Sequence, residues 1–160
     1  PSSAASDVYK RQDSMLQDVI QKGTGRRARS LKRSDLAGKT GTTDDAQDTW
    51  FNGYNTAIVA SDSVAFTDQA PLGKNAYGSN IPLPIWIDFM EDALKDIPET
   101  MRPIPAGIKR IYIDSKTGQP TVPNSPGGAF EYFLSENAPS LANKSNGSGS
   151  ESVIKAVDVF

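Results

Sequence analysis

Arg33-Ser-Asp-Leu-Ala-Gly-Lys-Thr-Gly-Thr-Thr43, followed by Asp48-Thr-Trp-Phe-Asn-Gly-Tyr54, is the stretch on which the fold turns. Leu36 to Thr43 reads as a strand that runs into a threonine-rich edge. Asp44-Asp45-Ala46-Gln47-Asp48 is polar and reads as a turn. Thr49 to Tyr54 predicts a second strand, and Thr56 to Phe66 (TAIVASDSVAF) a third. Connections this short favour an antiparallel meander. Trp50, Phe51 and Tyr54 read as core and strand-face residues, and Asp44 and Asp45 as turn residues.

The first strand carries the chemistry. Thr40 and Thr42 lie two apart, so their hydroxyls share a face. Gly41 leaves room for close approach of a ligand. Lys39 adds a positive charge that strengthens anion binding in a partly dry cleft. A sheet-edge strand can also offer its backbone to an extended peptide. Two hydroxyls and an ammonium suit a terminal carboxylate.

Outward from the meander, Ser14 to Gln21 places Met15, Leu16, Val19 and Ile20 at helical spacing. Asp13 or Ser14 would cap it and Gly23 would end it. Lys22 to Arg33 holds six basic residues and reads as a solvated connector. Asp68 to Asn80 is a Gly-, Asn- and Pro-rich loop. Pro84 to Leu94 is the clearest helix. Ile85, Phe89 and Met90 form its apolar face, joined by Trp86, Ala93 and Leu94, and Pro98 marks its end. Arg102 to Gly107 is extended, Ile108 to Ile113 alternates as a short strand, and Asp114 to Gly118 is a turn. Glu131 to Leu134 is a small apolar anchor. Residues 140–160 read as a flexible linker and tail.

Composition narrows the function. With 160 residues, 37% hydrophobic content, 11 prolines and 13 glycines, the chain suits one small, loop-rich domain. It contains no cysteine and no histidine. That excludes a Ser-His-Asp triad, a Cys-His pair and any His- or Cys-ligated zinc within it. No cofactor and no metal is expected. A net charge of -2 without a basic stripe argues against nucleic acid as a partner. No apolar run reaches the roughly 20 residues of a membrane helix.

Two resemblances organise the chain. Ser2 to Gln12 (SSAASDVYKRQ) resembles the in-frame translation of a sequencing-library adapter, so residues 1–12 are set aside as non-native and the natural protein is expected to continue upstream. Arg33 to Thr43, Asp48 to Tyr54, Pro71-Leu-Gly73, the helix Pro84 to Leu94, Arg102 to Ile108 and Tyr112 to Gly118 together resemble the bifunctional, class A penicillin-binding proteins. The resemblance runs from Asp13 to Pro139, with 13–97 as the C-terminal part of a transpeptidase domain and 98–139 as a C-terminal extension. It implies an α+β fold: part of a serine β-lactamase/D,D-transpeptidase-like antiparallel sheet with packed helices. It implies a peptidoglycan transpeptidase acting through an acyl-serine, in a parent protein that is also a glycosyltransferase.

By that resemblance Lys39 and Thr42 are catalytic, and Thr40, Gly41, Thr42 and Thr43 bind substrate. The N–H of Thr42 would be one of two oxyanion donors, where losing one can cost about 3 kcal/mol. The partners implied are peptidoglycan stem peptides, β-lactams and the rest of the transpeptidase domain. The location implied is the periplasmic side of a bacterial inner membrane, with any anchor in the upstream part.

The family's Ser-x-x-Lys and Ser-x-Asn motifs belong before Lys39, and neither occurs there. Ser135-Glu-Asn137 and Ser152-Val-Ile-Lys155 match formally, in the wrong order. The isolated chain is therefore expected to be inactive. The rival readings are a non-catalytic peptidoglycan- or partner-binding module of the same fold, and a serine β-lactamase.

Overall fold

The structure is a computed structural model that describes residues 3–140, with side chains from Val8 onward. The predicted tail at 140–160 lies outside the described residues beyond Ser140. Two antiparallel sheets are present. β1 (Ala37–Thr42), β2 (Asp48–Tyr54) and β3 (Val59–Ala65) form a three-stranded meander in that order. β4 (Ile108–Asp114) and β5 (Gly128–Leu134) form a separate hairpin. Helix α1 (Ser3–Gln21) flanks β1, and helix α2 (Pro82–Ala93) lies across β2 and β3.

The period-2 pattern of β2 decides which face is covered. Thr49, Phe51 and Gly53 are buried, while Trp50 and Asn52 are exposed. Phe51 meets Trp86 of α2 edge to face, with ring centroids 4.9 Å apart. Gly53 makes this contact possible: a Cβ there would sit 2.4 Å from the Trp86 ring. Ile20, Leu36, Leu83, Met90 and Leu94 complete the core.

Several elements depart from the sequence reading. Helix α1 runs from Ser3 without a break, so the start expected at Asp13–Ser14 is absent. Asp13 is not a cap but a buried carboxylate inside the helix. It accepts from Arg102 Nη1 (2.6 Å), Tyr54 Oη (3.2 Å), Gln17 Nε2 (3.3 Å) and Lys10 Nζ (3.5 Å). Met15 points to solvent, because the packed stripe is 10, 13, 17 and 20.

The basic connector is also more than solvated chain. A 3-10 turn (Arg26–Leu31) buries Ala28. Arg33 grips Asp35 through two hydrogen bonds of 2.9 and 2.8 Å. On α2 the buried face is Leu83, Trp86, Met90 and Leu94, whereas Ile85 and Phe89 are half exposed. Helix phase explains this: once Trp86 faces Phe51, positions 83, 90 and 94 follow it inward and 85 and 89 do not. The anchor at Glu131–Leu134 is the end of a full strand, β5, paired with β4 from Ile108↔Leu134 to Asp114↔Gly128.

Candidate active-site wall

β1 is an edge strand, and its register decides which backbone groups are free. Thr43 N donates to Asp48 O (3.1 Å), in line with the pairing Thr42↔Thr49. Antiparallel pairs alternate, so residues 39 and 41 also aim their N–H and C=O at β2, while 40 and 42 aim theirs outward. The next turn agrees: Asn55 N donates to Ile58 O (2.9 Å), which leaves 50, 52 and 54 to face β1. Among the described residues no strand pairs with that outer edge. The N–H of Thr42 and the carbonyl of Thr40 therefore project from an open edge. Lys39 Nζ donates to the Thr40 carbonyl (2.8 Å), folding its charge over that edge.

The side chains divide between two faces. Lys39 and Gly41 lie with Asn52 and Trp50 on the face away from α2. Thr40 and Thr42 lie on the other, and their hydroxyls already have partners. The Thr40 hydroxyl meets that of Thr24 (2.8 Å), and Thr42 Oγ1 accepts from Gly78 N (3.3 Å). Accepting from Gly78 leaves the Thr42 proton free to point at an external acceptor such as a carboxylate. Gly78 has to be glycine for this approach, since a Cβ there would lie 2.4 Å from Trp50 O and 2.8 Å from Gly41 O. The Thr43 hydroxyl is spent on the turn: it accepts from Asp48 N (3.0 Å) and donates to Asp48 O (3.2 Å).

Thr24 and Gly78 were not picked out by sequence reading. They lie 16 and 36 residues from the threonines they touch, and no local pattern marks them.

Behind β1, Asp35 is 1% exposed. Besides Arg33 it accepts from Asn55 Nδ2 and Thr100 N, both at 3.3 Å, and Arg33 Nη1 donates to Ile97 O (2.8 Å). Burial opposes ionisation of Asp35. The hydrogen bonds from Arg33, Thr100 and Asn55, with the Arg33 charge, outweigh it and hold its pKa below the usual carboxylate range. One buried ion pair thus joins the start of β1 to the β2–β3 turn and to the chain after α2.

Two antiparallel sheets with packed helices make this an α+β fold, and comparison with known proteins identifies its relatives. No protein-family model matches. The chain is 51% identical over 131 residues to penicillin-binding protein 1A of Pseudomonas aeruginosa, covering 82% of this chain and 16% of that protein. The Vibrio cholerae protein of the same name is 41% identical over 136 residues, covering 76% and 16%. The crystal structure of penicillin-binding protein 1A from Haemophilus influenzae superposes with a TM-score of 0.70 at 35% identity, over 80% of this chain and 20% of that one. The chain belongs to the penicillin-binding protein 1A family, as a partial segment spanning about one sixth of the length of the curated relatives it matches.

Proposed function

We propose that this chain supplies one wall of the active site of a peptidoglycan-synthesising D,D-transpeptidase. The observation that carries it is the open edge of β1, with the Thr42 N–H projecting outward beside the Lys39 charge. In this reading an upstream serine is acylated by the donor stem peptide. The serine oxygen bonds to the penultimate D-Ala carbonyl, the peptide bond breaks, and D-Ala leaves with the proton. An acceptor amine on a second stem then takes the acyl group and frees the serine. Thr42 N–H donates to the oxyanion in each tetrahedral state. Lys39 and the Thr42 hydroxyl hold the terminal carboxylate, with Thr40 beside them. A β-lactam presents the same carboxylate and carbonyl and acylates the same serine.

The whole protein would also carry a glycosyltransferase and a membrane anchor outside this chain, and would work at the periplasmic face of the inner membrane. No helix among the described residues is long and apolar enough to cross a membrane.

The test is the acylation rate of the full-length protein by a fluorescent penicillin. Lys39→Ala is expected to lower it about 100-fold, the scale of a lost transition-state charge contact. A rate within twofold, about the scatter of a minor contact, would remove β1 from the site and favour the non-catalytic module.

A further inference from the structure

We propose that Thr24 is a positioning residue for the substrate's terminal carboxylate: its hydroxyl donates to that of Thr40, so that the Thr40 proton turns outward to the anion. This rests on the function just proposed. Thr24 lies outside β1, in the turn that leaves α1, and its Oγ1 sits 2.8 Å from Thr40 Oγ1. A hydroxyl carries one proton and two lone pairs. The bond within this pair uses one of the two protons and leaves the other for an external acceptor.

The turn holds Thr24 in place. Gly23 N and Gly25 N both donate to Val19 O, at 3.1 and 3.0 Å, so the chain is tied to α1 on either side of Thr24. Gly25 is buried, and a Cβ on it would lie 3.4 Å from the Phe51 ring. Phe51 is the residue that Thr40 faces across the β1–β2 ladder. The turn thus rests on the core beside Thr40. Ala28 N donates to Gly25 O (2.9 Å), and Arg27 Nη1 reaches Ser79 O (3.5 Å), next to Gly78.

The neighbouring threonine indicates the direction. Thr42 Oγ1 accepts from Gly78 N, a group that can only donate, so the Thr42 proton goes elsewhere. The partner of Thr40 can donate or accept, and the ligand decides between the two. An ionised carboxylate only accepts, and a hydrogen bond to a charged group is roughly twice as strong as a neutral one. With the anion bound, Thr40 therefore donates to it and accepts from Thr24. Lys39 Nζ, 2.8 Å from the Thr40 carbonyl oxygen, brings positive charge to the same residue. Thr40 and Thr42 then work alike: each accepts from behind and donates forward. Without the Thr24 hydroxyl, Thr40 keeps its proton and loses the group that orients it.

The experiment uses the full-length protein and two ligands, a penicillin and its methyl ester. They share the reacting carbonyl and differ in the anion. The readout is the ratio of their acylation rate constants, acid over ester, which cancels differences in active protein between preparations. Thr24→Val is expected to lower the ratio about fivefold, the scale of one hydrogen bond, and Thr24→Ser to keep it. In a Thr40→Val background, Thr24→Val is expected to change nothing further. A ratio unmoved in Thr24→Val, even where both rates fall together, overturns the proposal. So does a ratio lost as fully in Thr24→Ser, or a further loss in the Thr40→Val background, which would mean that Thr24 touches the ligand itself. Failure of the underlying function looks different, and takes this proposal with it: the unsubstituted protein forms no penicillin adduct, or acid and ester acylate it equally fast.

Discussion

The three-stranded body and the β4–β5 hairpin are built by different physics. The body closes around fully buried apolar side chains, among them Phe51, Trp86, Leu36, Leu83, Met90 and Ile20. Among the hairpin's described residues only Ile108 and Ile113 are buried, at 8% and 9% exposure, and Phe130 is 44% exposed. The hairpin relies instead on charge against aromatic faces. Arg110 lies 3.9 Å from the Phe130 ring, and Tyr112 meets the same ring edge to face with centroids 4.9 Å apart. The part that positions the candidate site is thus held by water exclusion, which salt does not screen. The appended part is held by contacts that salt and truncation weaken.

Substitutions in the full-length protein sharpen or break this contrast. Trp86→Ala is expected to cost the most, about 3–5 kcal/mol, because it removes the Phe51 partner and opens a cavity over Gly53. A change under 1 kcal/mol in thermal unfolding would mean the body is not organised around α2. Asp35→Ala strands the Arg33 charge in a buried setting and is expected to cost about 3 kcal/mol. This pair also has a pH signature. The folded pKa of Asp35 is depressed, so its contribution is complete above the unfolded value of about 3.9. It is lost as pH falls through the folded value below that. Asp35→Asn should flatten that acid limb in a pH series of melting temperatures, and an unchanged limb would assign it elsewhere.

Arg110→Ala, which removes the cation over the Phe130 ring, is expected to cost about 0.5–1 kcal/mol, with the effect confined to the hairpin. Amide exchange should quicken in β4 and β5 while β1 and β2 keep their protection. Equal loss of protection in both regions would dissolve the distinction. Lys22→Ala, which removes an exposed pair with Asp18 at 3.1 Å, is expected to shift stability by under about 0.5 kcal/mol.

Sequence patterns foretold the body better than the hairpin for the same reason. Period-2 alternation in Asp48–Tyr54 and the Lys-Thr-Gly edge are local signals, and the meander follows from short connections. The third strand is shorter than the 56–66 run suggested, because Asn55 Oδ1 accepts from Ala57 N and Ile58 N and makes those residues a turn. β5 begins Gly128-Ala129, which carries no strand signal, so only its apolar end was visible. The face of α2 was misjudged because Ile85 and Phe89 are as apolar as the residues that pack, and only Trp86 settles the phase. The edge position of Lys39 to Thr42 was legible. Its supports at Thr24, Gly78 and Asp35 were not, since tertiary folding alone brings them together.

The most direct test of the account is where penicillin attaches. After acylation of the full-length protein, peptide mapping is expected to find the adduct on a serine outside this chain, within a Ser-x-x-Lys sequence upstream of Lys39. An adduct on a serine within this chain, Ser135 or Ser152 for example, would contradict the assignment of β1 as half of a site completed from elsewhere.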